Sequence, residues 1–184
     1  MIYKLNENYF NVIIFIHLFV FKKRLFMKKI FFALLFLSFA MSAQKQLPNL
    51  SLNNLEGKTV ALKNDFSEKD KLYIFSFWAT WCTPCIAELE EMNDVQDEWK
   101  KTLNLEIVAV ATDDTRTQKR VKPLVNGKGW TYNVLMDSNQ DFKRALAIVN
   151  IPYTIVVKNG MIVHIQNGFV PGSENELLAK LKTL

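Results

Sequence analysis

The only two cysteines of the 184-residue chain, Cys82 and Cys85, are separated by two residues. They directly follow a short apolar segment, residues 73–78, which predicts a buried strand leading into the first turn of a helix. A helix N-terminus has free N–H groups and a partial positive charge, which stabilise a thiolate and lower its pKa. The spacing therefore predicts a dithiol for thiol–disulfide exchange. Cys82 is the exposed nucleophile in this interpretation, and Cys85, one turn further on, is the shielded resolving thiol.

The net charge of +5 belongs to the N-terminal part of the sequence. Of the 23 basic and 18 acidic residues, six basic residues and one acidic residue precede position 44, which leaves 17 of each sign. A neutral remainder removes the main support for nucleic-acid binding, and we expect no nucleic-acid partner.

Residues 27–43 have the composition of a signal peptide. Two lysines after Met27 precede a run of eight apolar residues, and small residues then lead to Ala43. Cleavage is expected after Ala43, with a cut after Ala40 as the alternative. The folded part, residues 45–184, would then face an exported compartment that permits disulfides, such as the periplasm or cell envelope.

Residues 1–26 contain a second apolar segment that ends in three basic residues. The segment, residues 12–21, has ten residues, nine of them apolar, which is too few to span a bilayer, since that needs about 20. We interpret residues 1–26 as a non-native extension ahead of a true start at Met27. The alternative is a membrane segment, and an uncleaved leader would anchor the domain to a membrane.

Residues 45–184 predict one domain in which strands and helices alternate. Hydrophobic spacing and turn residues place its elements. The expected order is a β-hairpin over 50–62, a strand over 71–78, a helix over 83–102, a strand over 105–111, a polar helix over 115–126, a short strand within 130–136, a helix over 139–148, a β-hairpin over 153–166 and a helix over 173–181. This order predicts a mixed sheet covered by helices on both faces.

Two segments together resemble the thioredoxin superfamily. Residues 77–85 read Phe-Trp-Ala-Thr-Trp-Cys-Thr-Pro-Cys, and residues 151–154 read Ile-Pro-Tyr-Thr. With the order of elements, they are similar to the exported TlpA/ResA-like branch of thiol–disulfide oxidoreductases, from about Leu47 to the C-terminus. The resemblance implies an α/β thioredoxin-like fold. Its central mixed β-sheet is flanked by helices on both faces, with an N-terminal β-hairpin and a central αβ insertion.

The resemblance also implies how the site is built. Cys82 and Cys85 would form a redox-active disulfide. A cis peptide bond before Pro152 would leave the backbone of Ile151 free to pair with an extended substrate segment. Asn150 replaces a glycine that is common before this proline, and asparagine tolerates a positive φ better than most residues. The implied substrate-contacting residues are Trp81, Thr83, Pro84, Ile151 and Pro152.

A carboxylate near the dithiol departs from the pattern of thioredoxin itself. The buried aspartate found there six positions before the first cysteine is replaced by Ser76. Members of this branch often carry a glutamate three residues after the second cysteine, and Glu88 fits that position. Glu88 could take or return the proton of Cys85 if burial raises its pKa. The alternative is a solvated glutamate on an acidic helix face.

Other uses of the two cysteines fit the sequence less well. Tetrahedral zinc takes four ligands, whereas residues 45–184 offer two cysteines and one histidine, His164. We therefore expect no metal and no cofactor. A purely structural disulfide around so small a loop would add little stability. A peroxiredoxin-like peroxidase would need Pro-x-x-x-Thr-x-x-Cys, but Ala79 stands at the threonine position.

The expected activity is reduction of disulfides in exported proteins. Thr83 and Pro84 place no cation between the cysteines, and a strong oxidant would benefit from one. By resemblance, apocytochrome c is a candidate substrate, and a membrane-embedded donor would supply the electrons. We expect a monomer. The alternative from a different class is a peptide-binding or folding-helper module in which the redox step is incidental.

Overall fold

The structure is a computed structural model that describes residues 45–184. The described residues belong to one compact unit, Gln44–Leu184. The predicted extension over 1–26 and the predicted signal peptide over 27–43 lie outside the described residues. In the described part, no helix is both long enough and apolar enough to cross a membrane.

Within residues 45–184, seven strands form one mixed sheet. The strands are β1 (Ser51–Asn54), β2 (Thr59–Ala61), β3 (Leu72–Trp78), β4 (Leu105–Ala111), β5 (Asn133–Met136), β6 (Tyr153–Lys158) and β7 (Met161–Asn167). Their order across the sheet is β2-β1-β5-β4-β3-β6-β7. β3, β4 and β5 are parallel, while β1 and β6 join this central group in antiparallel pairings. The predicted N-terminal and C-terminal hairpins are β1–β2 and β6–β7.

Helices cover both faces of this sheet. They are α1 (Leu62–Asp65), α2 (Thr83–Thr102), α3 (Val121–Lys128), α4 (Asp141–Ala145) and α5 (Ser173–Leu181), with a 3₁₀ turn over Gln118–Arg120. One apolar cluster joins the sheet to α2, α3 and α5, and a second joins it to α1 and α4. The α/β class and the mixed sheet between two helical layers are therefore confirmed.

β3 is buried along its whole length because both faces are covered. Successive side chains of a strand point to opposite faces. Accordingly, Ile74 and Trp78 lie in the cluster with α2, whereas Tyr73, Phe75 and Phe77 lie in the cluster with α4. β3 is thus a rigid support whose C-terminal end delivers the chain to the dithiol.

The predicted polar helix over 115–126 is wrong at both ends. The chain passes through the 3₁₀ turn before α3 begins at Val121, and Pro123 lies in the first turn of α3, where a missing N–H costs least. α3 continues to Lys128, so Gly127 is inside it. Gly129, with φ of 66°, ends the helix in the left-handed conformation that glycine adopts at low cost.

The predicted helix over 139–148 is shorter than expected. α4 covers Asp141–Ala145, and the chain turns at Ala147, which has φ of 57°. The Ile148 N–H donates to the Lys143 carbonyl at 3.0 Å and closes the helix end. Asn150 is not among the residues with positive φ. The left-handed position of this loop therefore belongs to Ala147, and Asn150 precedes the cis-proline loop without needing a positive φ.

Candidate active site

The dithiol lies where β3 gives way to α2. Cys82 is the N-cap of α2, and Cys85 lies in its first turn. The two residues form a disulfide with 5.3 Å between their Cα atoms. The Cys82 N–H donates to the carbonyl of Ala79 at 3.0 Å, which makes a tight turn ahead of the helix. The helix start places unpaired N–H groups beside the sulfur of Cys82, as the sequence predicts.

The two cysteines differ in exposure, but by less than expected. Cys85 is fully buried, while Cys82 keeps 6 % of its surface exposed. The order of exposure is the predicted one. In the disulfide form, however, even the proposed nucleophile is largely covered, so the prediction of an openly exposed first sulfur is wrong for this state.

Thr112 and Asp113, which directly follow β4, hold the loop that precedes Cys82 in place. Asp113 is fully buried and accepts hydrogen bonds from the backbone N–H and the hydroxyl of Thr80, at 2.8 and 2.6 Å. Thr112 donates its backbone N–H and its hydroxyl to the carbonyl of Trp78, at 2.8 and 3.0 Å. Sequence reasoning missed both residues. The signal was their position, because the carboxyl ends of neighbouring parallel strands meet at one edge of a sheet.

The peptide bond between Ile151 and Pro152 is cis, as predicted. Pro152 is buried, and its carbonyl accepts a hydrogen bond from the N–H of Gly168 at 2.9 Å. Ile151 is half-buried and packs against the cluster that contains both cysteines. Within residues 45–184, neither backbone group of Ile151 has a hydrogen-bond partner. The loop therefore lies beside the dithiol with backbone groups available.

Apolar side chains stand exposed on the three segments that meet here. Trp81 is 61 % exposed, Val149 80 % and Val170 70 %. Trp81 precedes Cys82, Val149 precedes Ile151, and Val170 follows the Gly168 turn that bonds to Pro152. Thr83 and Pro84 are exposed as well. Sequence reasoning missed Val149 and Val170, because nothing in the sequence alone shows which valines remain exposed.

Glu88 is buried, with only 3 % of its surface exposed. Its carboxylate accepts a hydrogen bond from the hydroxyl of Ser76 at 2.9 Å and one from the hydroxyl of Thr154, which reaches both oxygens at 3.2 and 3.3 Å. Burial raises the pKa of Glu88 to about 7, although both hydroxyls favour the ionised form and lower that pKa. The solvated alternative for Glu88 is wrong, and its carboxyl group titrates where a proton carrier is useful.

His164 takes no part in this arrangement. His164 is on β7 and pairs with Val156, which itself pairs with Ile74 of β3, four residues before the end of that strand. Among residues 45–184, no three His, Cys, Asp or Glu side chains form a group that could hold a metal ion.

Comparison with known proteins agrees with this geometry. Residues 43–165 match the family model described as the AhpC/TSA family. The chain belongs to the AhpC/TSA family. Within it, the chain is similar to the thiol-disulfide oxidoreductase ResA of Bacillus thuringiensis, with 32 % identity over 124 residues, 67 % of this chain and 68 % of that protein. It is also similar to the thioredoxin-like protein YneN of Bacillus subtilis, with 30 % identity over 137 residues, 72 % of this chain and 75 % of that protein.

Solved structures place this AhpC/TSA-family chain in the thioredoxin-like fold. A thioredoxin-like protein from Porphyromonas gingivalis is 42 % identical, with a TM-score of 0.66 over 75 % of this chain and 90 % of that one. The thioredoxin domain of a thiol-disulfide oxidoreductase from Bacteroides vulgatus shares the fold at 22 % identity, with a TM-score of 0.63 over 78 % of this chain and 98 % of that one. The protein is a thiol–disulfide oxidoreductase of the ResA type with a redox-active disulfide.

Proposed function

We propose that this AhpC/TSA-family protein reduces disulfides of exported proteins through Cys82 and Cys85. One observation carries the proposal: the disulfide lies at the start of α2, one helical turn before the buried carboxyl group of Glu88. A reducing direction is supported by Thr83 and Pro84. They bring no cation that would stabilise the Cys82 thiolate and make its thiol strongly acidic, as a strong oxidant would need. The signal peptide predicted over residues 27–43 supports export.

The proposed reaction moves two electrons from the dithiol to the substrate. The Cys82 thiolate, stabilised by the helix N-terminus, attacks one sulfur of the substrate disulfide and expels the other as a thiolate. Cys85 loses its proton to Glu88 and attacks the sulfur of Cys82. The mixed disulfide breaks, the second substrate sulfur leaves as a thiolate, and the Cys82–Cys85 disulfide forms.

Substrate binding is proposed on the surface around this disulfide. Trp81, Thr83 and Pro84 offer side chains on one side of the sulfurs. The free backbone groups of Ile151, beside Pro152, suit an extended segment that pairs as an added strand.

The proposed partners follow from export. They are disulfide-containing exported proteins, with apocytochrome c as one candidate, and a membrane-embedded donor that reduces the enzyme again. The enzyme is proposed to work as a monomer in the periplasm or cell envelope, anchored there if the leader stays uncleaved.

A trapping experiment tests the proposal. A Cys85→Ala variant should stall at the mixed disulfide, because the second attack is lost, and mass spectrometry of the trapped species should identify exported proteins linked to Cys82. The matched control is Cys82→Ala, which keeps one thiol but lacks the nucleophile. Equal trapping by both variants would contradict the proposal. So would trapping only of proteins that are not exported or that have no pair of cysteines.

The redox potential tests the direction separately. We expect a reducing value, closer to about −270 mV than to the about −120 mV of a strong disulfide oxidant. Equilibration with dithiothreitol and glutathione buffers measures it. A value near the oxidant end would reverse the proposed direction, and turnover of hydrogen peroxide by the full chain would instead favour a peroxidase.

A further inference from the structure

Two hydroxyl residues of the sheet stand directly opposite each other beneath α2. Ser76 of β3 and Thr154 of β6 are register partners in the antiparallel ladder. Both are fully buried. Ser76 lies between Ile74 and Trp78 in the alternation of β3, so it faces α2 as they do. Both hydroxyls donate to the same carboxyl group, that of Glu88.

We propose that Ser76 and Thr154 are positioning residues that hold the Glu88 carboxyl group beside Cys85 in both its ionised and its neutral form. This inference rests on the proposed role of Glu88 as proton acceptor for Cys85. It adds two residues, from two separate strands, to the machinery of the resolving step.

The chemistry of a hydroxyl group explains why it suits this place. When Glu88 is ionised, its oxygens need donors, and both hydroxyls donate. When Glu88 is protonated, its new O–H needs an acceptor, and a hydroxyl can rotate to accept. An ammonium group could only donate. The pair therefore lets Glu88 change charge without leaving a buried polar group unpaired, which would be costly.

The proton step balances with the electron flow. In the mixed disulfide, the S–H bond of Cys85 breaks and an O–H bond forms on Glu88. The Cys85 sulfur then bonds to the Cys82 sulfur, and the bond between Cys82 and the substrate breaks. Its electron pair leaves with the substrate sulfur, which is reduced while the dithiol is oxidised. Glu88 afterwards gives its proton to water or to the departing thiolate.

The groups that face Glu88 come from several elements. On α2 they are Cys85, one turn before it, and Glu91, one turn after it, whose negative charge also raises the pKa of Glu88. Glu91 accepts a hydrogen bond from the Gly172 N–H at 3.2 Å, and the nearby carboxyl group of Glu174 on α5 raises the pKa of Glu91. Tyr132, just before β5, donates its hydroxyl to the backbone carbonyl of Leu89 and feels the charge of Glu88. From β3 and β6, the polar groups that reach Glu88 are the two hydroxyls.

Reduction of 5,5′-dithiobis(2-nitrobenzoate) by the reduced full chain separates the two attacks. The first thionitrobenzoate is released when Cys82 attacks, and the second when Cys85 resolves. The quantity to measure is the pH at which the rate of the second release is half-maximal, called the midpoint. In Ser76→Ala/Thr154→Val we expect this midpoint to rise by about one pH unit, because hydrogen bonds that favour the ionised carboxylate are gone. At pH 6 the second release should then be about tenfold slower, with the first release kept.

Matched variants separate positioning from general damage. Ser76→Thr and Thr154→Ser keep the hydroxyls and should keep the wild-type midpoint. Thr59→Val, which removes an exposed hydroxyl on β2, should change neither release. If the double variant does not fold, the single Ser76→Ala change, which removes one atom, should still raise the midpoint. A midpoint equal to that of the wild type in a folded hydroxyl-free variant would overturn the inference.

Glu88→Gln distinguishes this inference from the proposed function. If that variant keeps the wild-type pH profile of the second release, Glu88 is not the proton acceptor. The proposed proton transfer and this inference then both fail, while disulfide reduction by Cys82 and Cys85 is still tested by the trapping experiment. If it flattens the profile while the hydroxyl variants leave the midpoint unmoved, only the inference on Ser76 and Thr154 fails. In a Glu88→Gln background, removing the hydroxyls should produce no further midpoint shift.

Discussion

At the scale of single residues, two departures from the thioredoxin pattern belong together. The sequence lacks an aspartate at position 76 and carries a glutamate at position 88. The hydroxyl of Ser76 donates to the carboxylate of Glu88 at 2.9 Å, so the carboxylate of α2 occupies the space beside position 76 of β3. The missing strand carboxylate is thus matched by one from the helix. The sequence predicted Glu88 as a candidate, but its burial depends on Thr154, which only the pairing of β3 with β6 brings near.

Glu88→Gln should stabilise the protein at alkaline pH. Because folding raises the pKa of Glu88 from 4.5 to about 7, the folded state binds this proton more tightly than the unfolded state. The resulting stabilisation is full below pH 4.5 and is lost as the pH rises to about 7. The amide side chain of the variant carries no charge to bury, so at pH 8 the variant should gain up to about 3 kcal/mol in the free energy of unfolding.

Urea unfolding of the oxidised protein at pH 4, 6 and 8 checks this. The gain should grow with pH and level off above pH 7. The control is Glu98→Gln, on an exposed position of the same helix, which should show no such growth. A gain that is constant across this pH range would exclude Glu88 as the buried titrating group.

At the scale of elements, prediction succeeded where one hydrophobic pattern runs without interruption. The predicted bounds of α2, β4 and α5 agree with Thr83–Thr102, Leu105–Ala111 and Ser173–Leu181 to the residue. It failed for the helices predicted over 115–126 and 139–148, which are short and end where a single backbone angle decides, whereas the short strand predicted within 130–136 is β5. α4 stops because Ala147 turns left-handed, and alanine gives no sequence signal for that conformation.

Ala147→Gly should therefore stabilise the end of α4. An L-residue with φ of 57° carries a steric cost of about 1–2 kcal/mol that glycine avoids. Part of this gain is offset by the greater freedom of glycine in the unfolded chain, which leaves about 0.5–1 kcal/mol. Thermal and urea unfolding measure it. Ala145→Gly, at the last residue of the same helix, should instead destabilise by about 0.5–1 kcal/mol. Loss of stability in both variants would contradict the assigned conformation of Ala147.

The loop before Cys82 depends on β4 rather than on its own sequence. Asp113→Asn leaves one acceptor oxygen for the two donors of Thr80, so the unfolding free energy should fall by about 1–3 kcal/mol. The first release of thionitrobenzoate should also slow, because Cys82 follows this loop. Asp114→Asn, at the neighbouring position, is the control and should leave that rate unchanged. An unchanged rate in Asp113→Asn would mean that the loop holds its shape without this carboxylate.

At the scale of the whole molecule, the site is assembled at one end of the central strands. The local motif of residues 77–85 is visible in the sequence, as is Pro152, because each depends on neighbours in the chain. Asp113, Val149 and Val170 were not predicted, because their roles depend on which loops the sheet brings together. Three loops thus contribute apolar surface around a disulfide that a single segment supplies.

Because the apolar surface and the disulfide come from different segments, we expect protein substrates and small disulfides to contact different parts of the molecule. Val149→Ser and Val170→Ser remove exposed apolar surface without touching the dithiol, so together they should raise the KM for a disulfide-linked peptide about three- to tenfold. That range follows from about 25 cal/mol per Å² of apolar area no longer covered by substrate. The rate with 5,5′-dithiobis(2-nitrobenzoate) should stay the same, because so small a molecule needs only the sulfurs. Ile165→Ser, which removes comparable exposed apolar surface from β7, is the control and should change neither value. If the valine variants slow both substrates equally, the valines act on the dithiol itself; if they slow neither, the peptide binds elsewhere.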